Sequence, residues 1–129
     1  MKKILCILAV LLILTVCLPA LAEESVWAFD YNDYKLTEYM GGEGEVVIPG
    51  SIDSCSVDIL GGYLFNGNET ITSLTLPSSL KQVEDSAIAF CGNLTELIIP
   101  EGVQIIGDNC FISNPGLTEI TIPASVRYI

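Results

Sequence analysis

The chain has 129 residues, 50% of them hydrophobic, with 5 Lys plus Arg against 16 Asp plus Glu and no His, for a formal net charge of −11. This length holds one domain at most, and the lack of His removes imidazole bases, His-paired nucleophiles and His-ligated metals. An acidic chain is repelled by phosphate backbones and anionic lipid, which argues against nucleic acid and membrane surfaces as partners.

Lys2 and Lys3 precede an apolar run from Ile4 to Leu18, after which Pro19 and Ala20-Leu21-Ala22 lead into Glu23-Glu24. Basic start, apolar centre and Ala-x-Ala site predict a signal peptide over residues 1–22, cleaved after Ala22. The expected location is secreted or at the cell surface, with no membrane span after cleavage. Pro19 and the Ala-x-Ala site oppose an uncleaved anchor. Lipidation of Cys17 is opposed by Val16, which is bulky where a small residue normally stands. Cleavage removes two basic residues and no acid, so the remainder is more acidic than the whole. Cys55, Cys91 and Cys110 stay, and an odd number leaves at least one thiol unpaired within the chain.

Ser25 to Tyr39 reads as two short strands around Asn32-Asp33, with Trp27, Phe29, Tyr31, Tyr34 and Tyr39 among them. These rings are expected to cap the open end of a stacked fold built by the residues after them, within a lead-in over residues 23–45. The alternative is a contact platform for carbohydrate or protein. Gly41-Gly42-Glu43-Gly44 is expected to be a flexible joint, since it lacks the Lys and Ser/Thr of a phosphate loop.

From residue 46 onward the chain repeats. Pro77, Pro100 and Pro123 recur every 23 residues, closing Ile71-Thr-Ser-Leu-Thr-Leu-Pro77, Leu94-Thr-Glu-Leu-Ile-Ile-Pro100 and Leu117-Thr-Glu-Ile-Thr-Ile-Pro123. Leu80, Val103 and Val126 align, as do Val83, Ile106 and Ile129. An earlier copy at Val46-Val47-Ile48-Pro49 is stretched by five residues, placed within Asp53 to Val57. In each copy alternate residues are apolar (Leu74 and Leu76, Leu97 and Ile99, Ile120 and Ile122), which predicts a strand with one buried face. Thr75, Ile98 and Thr121 then face outward. Proline ends the strand, a second short extended segment comes next, and Asp85 to Ile88 and Asp108 to Phe111 suggest single helical turns. One such unit cannot bury its apolar face alone, but stacked copies close a continuous core. An antiparallel sandwich has no reason to keep a 23-residue register in every column. The expected fold is therefore mainly β with short helical turns: a solenoid of about three to four coils over residues 46–129, with units near 46–73, 74–96 and 97–119 and a partial one at 120–129.

Leu94 through Phe111, read as L-T-E-L-I-I-P-E-G-V-Q-I-I-G-D-N-C-F, resembles the BspA-like leucine-rich repeat, whose units run roughly L-T-x-I-x-I-P-x-S-V-x-x-I-G-x-x-A-F-x-x-C. Cys91 occupies that family's cysteine position, Asn114 replaces it in the next unit, and Cys110 stands where the family has Ala. The resemblance implies a leucine-rich-repeat fold and an exported bacterial surface protein, in some cases an adhesin toward matrix proteins or other cells.

Catalytic arrangements are weak. Paired carboxylates need a cleft holding them at a working separation, the cysteines have no His to form a thiolate pair, and the paired spacing of a thiol metal site is absent. No cofactor is expected, and Cys91 and Cys110 read as small core residues. Asn68-Glu-Thr70 and Asn93-Leu-Thr95 are glycosylation acceptors only in a eukaryote. Glu96 and Glu119 recur on the outward column and read either as a carboxylate ladder for Ca²⁺ or a basic partner, or as solvated side chains. Lys81 and Arg127 share another column with Gln104 between them. The candidate partner-binding residues are thus Glu96, Glu119, Lys81, Arg127, Thr75, Ile98 and Thr121, on an exported, non-enzymatic module that binds an extracellular or host surface protein. The alternative is a structural unit, or a fragment of a longer repeat protein, self-associating through an open C-terminal edge at Ile129.

Overall fold

The computed structural model describes residues 26–129, so the expected signal peptide lies outside the described residues. β1 (Trp27–Asp30) and β2 (Lys35–Tyr39) pair antiparallel, as the lead-in predicts. β3 (Gly44–Val47), β4 (Ser51–Ile52), β5 (Cys55–Ser56) and β6 (Ile59–Leu60) lie in the stretched first unit. Then come β7 (Ile71–Thr75), β8 (Gln82–Val83), β9 (Glu96–Ile98) and β10 (Ile105–Ile106). The chain winds as a β-solenoid of about three turns. First legs form the parallel sheet β3-β7-β9, and second legs join the hairpin in the sheet β1-β2-β6-β8-β10. β2 pairs parallel with β6, Leu36 opposite Leu60, so the lead-in acts as a coil beneath the first repeat.

The core lies between these sheets and is built from columns. Val57, Leu80 and Val103 are each fully buried, as are Leu60 and Val83. Trp27, Tyr39 and Phe65 close its lower end, with ring centroids 4.6 Å apart for Trp27–Tyr39 and 5.3 Å for Tyr39–Phe65. The expected packing of aromatic rings on the first coil is therefore realised at Trp27 and Tyr39. The five-residue stretch is an antiparallel hairpin, β4 with β5, turning at Asp53 and Ser54 with φ of 47° and 67°. Val57 N–H donates to Gly50 C=O across its base (2.9 Å).

Hydrogen bonding between coils continues through the turns. Tyr63, Phe65 and Gly67 donate to Asp85, Ala87 and Ala89 (3.1, 2.8 and 2.9 Å), and Ser86, Ile88 and Phe90 donate to Asp108, Cys110 and Ile112 (2.9, 3.1 and 2.9 Å). The expected helical turns are therefore tight turns whose alternate N–H groups point to the next coil. Such geometry needs left-handed residues in register: Tyr63, Ser86 and Asn109 have φ of 60°, 54° and 56°, and Gly67, Phe90 and Ser113 have 74°, 55° and 56°. This backbone costs about 1–2 kcal/mol for most L-residues and is easiest for Gly and Asn. Gly61 allows the close crossing of β6 and β2, for a Cβ there would lie 2.5 Å from Leu36 O.

Among the described residues Asn114 is the one buried polar residue. Its Oδ1 accepts from Cys91 N–H (2.7 Å) and its Nδ2 donates to Ile88 O (2.7 Å) and Phe111 O (3.1 Å). It pairs backbone groups of the coil below that the thiol side chain of the family pattern would leave to weaker bonds.

The last expected strand is also corrected. Residues 117–122 form no strand, and Ile122, expected to face inward, is 41% exposed. Among the described residues this leg makes no ladder with β9. The second leg stays attached: Arg127 N–H donates to Gln104 C=O (2.8 Å), and Ile106 N–H donates to Tyr128 C=O (2.9 Å).

Leu74, 1% exposed, should cost about 2–5 kcal/mol when replaced by Ala, whereas its outward neighbour Thr75 should cost under about 1 kcal/mol. Asn114→Ala should cost about 1–3 kcal/mol by stranding buried backbone groups. Urea titration of the three variants measures each.

Candidate interaction surface

Alternation on a strand sends every second side chain to the opposite face. With Val46, Leu74 and Leu97 inward, the sheet β3-β7-β9 turns two rows to solvent. Val47 lies opposite Thr75 and Thr75 opposite Ile98, while Glu45 lies opposite Ser73 and Ser73 opposite Glu96. Val47 is 69% and Ile98 68% exposed. Large branched residues left open on the two outer strands flank Thr75 in one row, which runs beside the carboxylates. Among the described residues neither Glu45 nor Glu96 enters an ion pair.

The described basic residues belong to the other sheet and its extensions. Lys35 Nζ lies 3.3 Å from Glu84 Oε1, and Lys81 Nζ lies 2.6 Å from Asp58 Oδ2. Asp58, Lys81, Gln104 and Arg127 form a true column, for each N–H from Lys81 onward donates to the carbonyl of its predecessor at 2.8 Å. The Lys81 hydrogen bond, and then that of Ser56, holds the Asp58 carboxyl below its ordinary range.

Of the sequence-predicted residues, the fold brings Thr75, Ile98 and Glu96 together on one face. Glu119 and Thr121 are exposed but lie in the unpaired 117–122 segment, without ladder register to β9. Lys81 and Arg127 sit on the other sheet's side, and the Lys81 charge is matched by Asp58. Sequence reasoning missed Val47 and Glu45. Carrying the outward column back from Ile98 through Thr75, across the five-residue insertion, would have found both.

Cys55, Cys91 and Cys110 are free thiols, the last two buried. Burial pushes the Cys91 and Cys110 thiols up, and their Sγ atoms donate to Phe65 O (3.2 Å) and Glu84 O (2.9 Å). They act as core residues rather than nucleophiles. Among the described residues no three His, Cys, Asp or Glu side chains are grouped to hold a metal, and no helix is long and apolar enough to cross a membrane.

Asp58 has a depressed folded-state pKa, so its stabilisation is complete above the ordinary carboxylate range, about 3.9, and is lost as pH falls through the folded value. The urea midpoints of wild type and Asp58→Asn should therefore differ at neutral pH and converge in acid. Of the three described thiols, a thiol-reactive dye should label Cys55 alone in the native protein and reach Cys91 and Cys110 only on unfolding; mass spectrometry of the labelled peptides checks this.

Residues 46–129 match the BspA type leucine-rich repeat region, in 6 copies. A crystal structure of a T. pallidum leucine-rich repeat protein, TpLRR, is similar in fold, with a TM-score of 0.54 and 20% identity over 80% of this chain and 60% of that one. The chain thus spans about 60% of that protein's length. No curated protein matches the chain.

Proposed function

The chain belongs to the BspA type leucine-rich repeat family, and from that premise we propose that it is an exported, non-enzymatic module that binds protein outside the cell. Residues 1–22 direct export, 23–45 cap the first coil, and 46–129 carry the repeats. The observation that supports a binding role is the outer face of β3-β7-β9. There Val47 and Ile98 are left open beside Glu45 and Glu96, with no cation on the same sheet. Exposed apolar side chains flanked by charge favour a partner surface of matching shape and opposite sign. The partner is accordingly a protein presenting apolar residues within a basic patch, as an adhesin-like module would meet on a matrix or cell surface.

Ile98→Lys combined with Glu96→Lys inverts the face without touching the core. Its circular dichroism and melting should match wild type, while binding to basic matrix proteins should fall at least about tenfold. Wild-type binding should also weaken as salt rises. Binding that survives the double substitution would reject this face. Self-association of the wild type in sedimentation, removed by the same substitution, would assign the face to assembly instead.

A further inference from the structure

The five-stranded sheet carries a second feature, independent of the face just described. Where β6, β8 and β10 run into their turns, the surface sinks into a groove of about 420 Å³ lined by Tyr63, Gln82, Glu84, Asp85, Ile105 and Gly107. The volume lies in the range of small-ligand sites. A Cβ on Gly107 would collide with the backbone and carboxylate of Asp85, so this glycine lets two successive coils approach closely beside the groove.

Tyr63 combines a solvent-facing ring with an unfavourable backbone conformation. It is 68% exposed, and its φ of 60° falls in the left-handed column whose other members are Ser86 and Asn109. Asn suits that backbone and Tyr does not. Phe90 is likewise exposed, at 51%, with a φ of 55°, so the backbone alone does not mark a ligand; what sets Tyr63 apart is that its ring lines the groove.

The polar groups select its chemistry. Gln82 makes no side-chain hydrogen bond among the described residues, leaving an amide donor and acceptor open to the groove. Glu84 Oε2 accepts from Gly62 N–H (2.9 Å) while Oε1 meets Lys35, and Asp85 Oδ1 accepts from Asp108 N–H (2.9 Å). The carboxylates are thus partly compensated and fixed in place. Their remaining lone pairs suit hydroxyl donors, and their sign repels an anion. We propose that this groove binds a neutral saccharide, its apolar C–H face stacked on Tyr63 and its hydroxyls bonded to Gln82, Glu84 and Asp85.

Titrating the labelled protein with maltotriose, cellotriose and chitotriose in ¹H–¹⁵N NMR tests this. At least one should shift the Gly62, Tyr63, Gln82 and Ile105 amides with a Kd of about 1 mM or tighter. Tyr63→Asn should raise the melting temperature or leave it unchanged, yet weaken that binding at least about tenfold, and Gln82→Ala should weaken it as well. The proposal is overturned if none of the three sugars shifts these amides, or if Tyr63→Asn binds as wild type. It is equally overturned if trigalacturonate binds as well as the neutral sugars, or if a lysine-rich peptide shifts these amides where the sugars do not.

Discussion

Backbone hydrogen bonds between successive coils are the constraint on which the rest of this molecule depends. They join residues 22 to 27 positions apart in strands and turns alike, as from Phe65 to Ala87 and from Ile48 to Thr75. Because the ladder continues through the turns, each coil must repeat the conformation of the one below it residue by residue. Like side chains then stack on like, and the columns Val57-Leu80-Val103 and Leu60-Val83 become a dry interior without any helix or disulfide to hold it among the described residues.

The same constraint explains what could be read from the sequence. Side chains that repeat because they stack are visible as columns, so the proline spacing, the buried alternation of Leu74, Leu97 and Ile99, and the two strands before the first repeat were all legible. What was not legible depends on backbone geometry that several residue types share. Tyr63, Ser86 and Asn109 have little in common chemically, yet occupy one left-handed position. The role of Asn114 comes from which amide and carbonyl it reaches in the coil below, not from its own identity. The strand expected at 120–122 fails for a different reason, since a periodic pattern states which face is apolar but not whether a neighbouring coil covers it.

Charge is sorted by the winding as well. Where the legs of successive coils pair, they feed the same sheet, so a substitution pattern repeated along the chain becomes a stripe along the solenoid. Acidic and apolar residues at Glu45, Val47, Glu96 and Ile98 thereby collect on one side, and the pairs Lys35–Glu84 and Lys81–Asp58 on the other. Two surfaces of different character arise from a single repeat, each adjustable without disturbing the core that separates them.

The β4–β5 hairpin shows how such a molecule changes length. The chain leaves the first coil at Gly50 and returns at Val57, two residues joined by one hydrogen bond, so the excursion closes on itself before the next leg begins. Spacing in the coils above is therefore the same as if the hairpin were absent, and Leu60 still stands beneath Val83. Insertions confined to that corner are decoupled from the helical pitch of the solenoid. The corner is a natural grafting point, where evolution or an engineer can exchange one loop for another while the rest of the winding is inherited unaltered.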